Sequence, residues 1–242
     1  ILKRQYRMAN EISGIVNAMF YGGILEDAEL VDRSLRPVGD LLGQSRLVLI
    51  DVRDLVKCKR DPHSYSRVNH ELAKISSSVA RGYMEKDIQV GIITPYRAQA
   101  KEIRRQFTKE ELQEQVQVST VHKFQGSEQE IIIFEVADSF PQKKPSQLIS
   151  GSKETFLDPE KNSSTLPLIN VALTRAKSQI ILVADLDYLL GRLSSTSILR
   201  QAINHFQEKG LVINYATGER LVPKKRVARK VTNQAEKEAA SS

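Results

Sequence analysis

A chain of 242 residues, 40% hydrophobic and 27% charged, has room for one large domain or two small ones and the balance of a soluble globular protein. Its one cysteine, Cys58, excludes a disulfide framework and fits a reducing intracellular setting, cytoplasmic or nuclear; no secretory signal opens the chain, and the apolar run IIIFEVA is too short to span a bilayer. The net charge of +7 would fit a nucleic-acid partner, but Arg220, Lys224, Lys225, Arg226, Arg229 and Lys230 concentrate six positive charges in one stretch, which leaves the rest close to neutral.

The sequence predicts an N-terminal helix over about 10–20 and a buried strand over 46–52, RLVLIDV. A helix over 66–85 follows, with Val68, Leu72, Ile75, Val79 and Tyr83 on one face and Ser66 as N-cap. Then come a strand over 89–94 (QVGIIT), a helix over 98–107, and strands over 116–121 and 130–137. The stretch 140–166 carries Pro, Ser, Lys and Gly without a period, so it is either a functional loop or disordered. A strand over 179–184 and a helix over 195–209 complete the pattern, and residues 216–242 read as a basic, disordered tail, with a localisation signal or a phosphate-binding arm as alternatives. There is no internal repeat. Strands rich in Ile and Val that alternate with helices predict an α/β fold with a mostly parallel sheet covered on both faces. In such sheets ligands bind at the C-terminal ends of the strands.

Three segments carry chemistry. LINVALTRAK, 168–177, sets Arg175 in an apolar helix that runs into a strand, where a phosphate could meet it; a surface arginine at a helix end is the plainer alternative. VSTVHKFQGSEQEI, 118–131, ends a strand in the hydroxyls of Ser119 and Thr120 and turns at Gly126 and Glu128. Hydroxyls and free backbone N–H groups suit phosphate oxygens, glycine lets backbone approach a ligand, and a carboxylate can accept from a ribose. A polar β-turn is the alternative. Gln5-Tyr6-Arg7-Met8 offers a ring that can stack on a base beside a guanidinium that can reach a phosphate; a Tyr and an Arg where a helix begins is the common alternative.

In this order the segments resemble the second motor domain of a superfamily 1 helicase, in the up-frameshift/Dna-two-like subgroup. QYRM resembles the motif that opens that domain, GIITPYRAQ (91–99) the next stretch, VSTVHKFQGSEQEIII the fifth helicase motif and LINVALTRAK the sixth. The resemblance runs over about 2–185 and implies a RecA-like fold, with the motor domain over 1–215. It implies that Tyr6 stacks on adenine, that Arg7 and Arg175 contact the γ-phosphate, and that Gly126 and Glu128 sit by phosphate and ribose. Thr94, Tyr96, Ser119, Thr120 and His122 would lie along the nucleic-acid backbone. The chain departs from the family pattern at Ala9-Asn10, where His-Pro is usual, at His122 for Asp and at Ser127 for Arg.

The resemblance implies ATP and Mg²⁺, but the chain has no G-x-x-x-x-G-K-[ST] loop and no strand-ending Asp-Glu pair. The expectation is that a preceding motor domain of the same protein holds those parts, that this chain alone is inactive, and that the partner is single-stranded DNA or RNA, with no membrane and a monomeric state. A non-catalytic helicase-like module that clamps nucleic acid or protein is the rival. A dinucleotide enzyme is disfavoured because no G-x-G-x-x-G follows a strand. A fused nuclease finds no metal-ligand cluster here, since His63, His70, His122 and His205 are scattered and Cys58 is alone.

Overall fold

Successive residues of one short strand go to opposite cores. Leu47 and Leu49 pack on one face of the central sheet, Val48 and Ile50 on the other. Both sets are apolar because helices cover both faces, which is why these strands read as continuous apolar runs. The computed structural model describes residues 4–29, 31, 42, 44–124, 126–158 and 164–221. The lysines and arginines predicted beyond 221 lie outside the described residues.

In chain order the elements begin with β1 (Arg4–Gln5) and α1 (Asn10–Val16), which continues as a π-helical turn over Asn17–Tyr21. β2 (Glu26–Asp27) pairs parallel with β1. β3 (Leu47–Asp51) is the first strand of the main sheet, and β4 (Lys59–Arg60) and β5 (Arg67–Val68) form an antiparallel hairpin. Then follow α2 (His70–Met84), β6 (Val90–Thr94), α3 (Arg97–Arg104), α4 (Lys109–Glu114) and β7 (Val116–Thr120). A 3-10 turn over Val121–Phe124 leads to β8 (Gln129–Glu135). After it come α5 (Gln147–Ser150), α6 (Lys153–Leu157), α7 (Thr165–Thr174) and β9 (Ala176–Ala184). α8 (Leu186–Arg192), α9 (Ile198–Lys209) and β10 (Leu211–Asn214) end the described fold.

Among the described residues the main sheet has six strands, all parallel, in the order β10-β3-β9-β8-β6-β7. α1, α7, α8 and α9 pack on one face, α2 and α3 on the other. This is the expected α/β, RecA-like arrangement. No helix among the described residues is long and apolar enough to cross a membrane.

Several boundaries differ from expectation for local reasons. The helix predicted from Ser66 begins at His70, because Arg67 and Val68 pair with β4 before it starts. Asn69 is its N-cap, accepting from the Leu72 N–H at 3.1 Å. Ser66 caps a different helix: its hydroxyl accepts from the N–H of Ala98 in the first turn of α3, whose own N-cap residue, Tyr96, makes no side-chain cap. The stretch 140–166 is structured over its described part. Ser146 and Ser152 cap α5 and α6, and Ile149 is buried in the core; residues 159–163 lie outside the described residues. The short helices α4 and α8 and the strand β10 were not predicted. Past β10 the chain folds back, with the Leu221 N–H donating to Val212 O at 2.8 Å, so residues 216–221 turn onto the sheet edge. The remainder of the predicted tail lies outside the described residues.

One crossover determines where the site residues fall. From the end of β7 the chain passes β6 and reaches the start of β8 in eight residues, over a strand rise of about 17 Å. A full α-helix does not fit, so a 3-10 turn carries Phe124 tightly against the sheet, where it is fully buried. It passes over Gly91 of β6. A Cβ at Gly91 would lie 2.7 Å from the Phe124 ring and 2.6 Å from Ile132 Cδ1. The glycine of GIITPYRAQ is therefore a packing requirement.

Candidate functional site

The ten predicted residues divide between opposite edges of the sheet. Tyr6, Arg7, Gly126, Glu128 and Arg175 lie by the starting ends of β8 and β9, and Thr94, Tyr96, Ser119, Thr120 and His122 by the finishing ends of β6 and β7. The expectation that ligands gather at strand C-terminal ends thus fits only the second group. The first group sits at the other edge because the crossover brings Gly126 and Glu128 back to the start of β8, beside the end of α7.

At the first edge, Gln5 organises the QYRM turn. Its Oε1 accepts from the N–H groups of Arg7 and Met8, both at 2.8 Å, and its Nε2 donates to Met8 O and to Asp27. The Ala9 N–H then donates to Lys177 O at 2.8 Å and ties the turn to β9. Tyr6 is 72% exposed. Arg175 is the C-cap of α7, and its carbonyl accepts from the Gln129 N–H at 3.1 Å, which places Glu128 beside it. The Glu128 carboxylate pairs with Arg7 Nε and, at 3.1 Å, with Lys177 Nζ. Burial pushes that carboxyl upward, but the Lys177 hydrogen bond and the charges of Arg7 and Lys177 outweigh it and hold Glu128 below the usual range. Arg175 donates through Nη2 to the Thr174 hydroxyl at 3.3 Å, while its buried Nε has no partner among the described residues. Burial, then the charge of Arg7, lowers its pKa, though a guanidinium remains charged at any physiological pH. Gly126 has φ 92° and open space where a Cβ would stand, so glycine is required there by conformation and leaves the backbone approachable. Lys177 was passed over in the sequence, although it stands in LINVALTRAK two residues after Arg175.

At the second edge a groove of about 1030 Å³ runs between the β4–β5 hairpin, the end of β7 and the segment 141–148. Tyr96, Thr120 and His122 line it; Thr94 and Ser119 do not. Thr94 is fully buried, and Tyr96 is only 4% exposed. The Tyr96 hydroxyl donates to the buried Asp138, so Tyr96 braces the groove it lines. Arg67 donates to the same carboxylate and, through Nη2, to Lys144 O at 2.7 Å. The Ser146 N–H donates to Asp138 Oδ1 at 2.8 Å. Asp138 therefore joins the hairpin, β6 and the 141–148 segment into one wall. Burial raises its pKa against the opposing charge of Arg67. Arg60, Arg97, Lys123, Lys143 and Lys144 also line the groove, and among the described residues no carboxylate does. Sequence reasoning missed these cations because they come from four separate segments and form no run.

A second buried network supports the same edge. Gln99 accepts from the Asn69 N–H at 2.6 Å, donates to Asn69 O at 3.0 Å, and donates to Glu135 at the end of β8. Gln99, the last residue of GIITPYRAQ, is thus a link between α2, α3 and the sheet. Burial raises the Glu135 carboxyl to about 7 against the opposing effects of Ser76 and Gln99.

The ordered motifs are matched by comparison with known proteins. Residues 1–187 fit the model of a family described as AAA domain. The chain belongs to this family. It is a superfamily 1 helicase motor domain of the up-frameshift/Dna-two-like subgroup. Similar curated proteins include helicase sen1 of Schizosaccharomyces pombe, 26% identical over 227 residues, covering 88% of this chain and 13% of that protein. An uncharacterized ATP-dependent helicase of Methanocaldococcus jannaschii is 29% identical over 199 residues, covering 76% of this chain and 26% of that protein. A DNA replication ATP-dependent helicase/nuclease of Arabidopsis thaliana, JHS1, is 27% identical over 236 residues, covering 90% and 16%. The chain thus spans about an eighth to a quarter of the length of these relatives. The family match ends at residue 187, yet α9 and β10 of this motor domain join the same core and the same sheet.

Proposed function

We propose that this motor domain is the second of a pair in an intracellular, monomeric ATP-dependent helicase or translocase acting on single-stranded DNA or RNA, and that it completes an ATP site lying between the two domains. The observation that carries the reading is the convergence of Arg7, Arg175 and Lys177 at one sheet edge, with Glu128 as the carboxylate set against them and Arg175 Nε buried without a partner among the described residues. A buried guanidinium N–H without an acceptor is costly, and a phosphate oxygen would relieve it. The same cluster does not fit Mg²⁺, because Glu128 is already held by Arg7 and Lys177 and a third cation, Arg175, stands beside it. Metal ligands and a phosphate-cradling loop are therefore assigned to the preceding domain.

ATP supplies the phosphoanhydride bond whose cleavage drives the motor. Tyr6 offers its exposed ring to the base. Glu128, kept ionised by Lys177 and Arg7, accepts from the ribose hydroxyls, and Gly126 leaves the backbone open beside the phosphates. Arg7 and Arg175 hold γ-phosphate oxygens and neutralise the charge that spreads over them, an effect worth about 10³–10⁵ in rate for arginines of this type. At the opposite edge the basic groove holds the strand through its backbone, so binding is salt-sensitive and nearly independent of sequence. Closure around nucleotide and reopening after hydrolysis move the two domains relative to each other along the strand.

The isolated chain and the full-length protein test this division. ATPase stimulated by single strands is expected from the full-length protein and none from the chain alone. Clear turnover by the isolated chain would contradict a shared site.

A further inference from the structure

The tip of the β4–β5 hairpin is held in an unusual conformation and points a large ring into water. Tyr65 has φ 55°, in the left-handed region that bulky residues avoid, and is 73% exposed. The loop enforces this shape. The Asp61 carboxylate accepts from the N–H groups of His63 and Ser64, the Tyr65 N–H donates to Asp61 O at 2.9 Å, and the Asp61 N–H donates to Ser66 O at 2.8 Å. Strain kept at an exposed aromatic, with no apolar burial to offset it, is a mark of function. The hairpin is also anchored. Gln142 donates to Cys58 O at 3.0 Å and its Oε1 accepts from Arg60 at 3.5 Å, the Cys58 N–H donates to Phe140 O at 2.9 Å, and Arg67 is locked to Asp138. The ring is therefore carried by a braced support, on the wall of a groove that Lys143 and Lys144 also line.

We propose that Tyr65 is a base-stacking residue for single-stranded nucleic acid, and that Arg60, Lys143 and Lys144 hold the phosphates of the strand whose base it takes. This deepens the proposed function and rests on its nucleic-acid reading. The pairing is chemically complete: an aromatic face for a base beside cations without carboxylate partners among the described residues, in a groove without lining acids. Stacking tolerates any base, which suits a motor that reads no sequence.

The test measures binding of the full-length protein to a mixed-sequence single strand and to an abasic strand of the same length. Tyr65→Ala is expected to weaken binding to the base-bearing strand by about tenfold and to leave the abasic strand unchanged. Tyr65→Phe should stay within about twofold of wild type, since the ring is kept. Lys143→Ala with Lys144→Ala should weaken both strands alike and reduce the salt slope by about 1–2. Tyr65→Ala binding the base-bearing strand as tightly as wild type would overturn the stacking role, as would an equal loss on the abasic strand. If wild type binds the strand and only the lysine variant weakens it, the stacking role fails while the groove stands. If wild type binds neither strand, the nucleic-acid reading fails with it.

Discussion

Arg7 and Arg175 meet at one residue, Thr174. Arg7 Nη1 lies 3.5 Å from its carbonyl oxygen and Arg175 Nη2 3.3 Å from its hydroxyl. Two guanidinium groups, 168 positions apart in sequence, are thus held side by side at the end of α7, and the charge of Arg7 is among the causes that lower the Arg175 pKa. Like charges brought together cost free energy, and the arrangement makes sense when an anion is to be placed between them.

Tyr6 precedes Arg7 and is 72% exposed, so its removal should disturb the fold little. Tyr6→Ala in the full-length protein is expected to raise KM for ATP by about tenfold with a small effect on kcat, because stacking on the base is equal in ground and transition states. Tyr6→Phe should behave as wild type. Steady-state ATPase kinetics check both, and an unchanged KM in Tyr6→Ala would remove Tyr6 from the site.

Gly91→Ala should destabilise the domain although glycine is usually unfavourable in a strand. The new methyl group meets Phe124 and Ile132 at 2.7 and 2.6 Å, inside a closely packed core. A loss of about 1–3 kcal/mol is expected from overpacking, read as a lower urea midpoint. Equal or greater stability would mean that the crossover can move away from the sheet.

Glu135 makes stability depend on pH. Its folded pKa of about 7 lies above the usual 4.5, so the folded state binds the extra proton between those values. The stabilisation is fully present below about pH 4.5 and is lost as pH rises through about 7, a contribution on the order of 3 kcal/mol. Glu135→Gln imitates the protonated form and should lack that slope. Urea unfolding of both proteins at pH 5 and pH 8 measures it. Matching slopes would show that Glu135 is not the titrating group.

The α/β order, the central strands and the motif segments were legible because each is carried by a continuous run: VGIIT, IIIF and IILV are short and rich in β-branched residues, which favours buried strands. LINVALTRAK was legible for the same reason, since an apolar helix abutting an apolar strand leaves Arg175 at the junction. The placement of the two edges was not. It depends on the eight-residue crossover after β7, and nothing local to VHKFQGSE reveals that it passes over Gly91. Ser66 was misread because a serine ahead of a helical pattern looks like that helix's cap, whereas the intervening pair Arg67–Val68 joins a hairpin and turns the hydroxyl toward Ala98. The basic groove was hidden because Arg60, Arg97, Lys123 and Lys143 come together only in space.

The central claim rests on Arg175, whose buried Nε has no acceptor among the described residues. The most direct measurement is the single-strand-stimulated ATPase of the full-length protein carrying Arg175→Ala, with single-strand binding measured on the same sample. A fall in kcat of about 10³ or more, with strand binding retained, is the predicted result. Wild-type turnover in a folded, strand-binding Arg175→Ala protein would contradict the assignment.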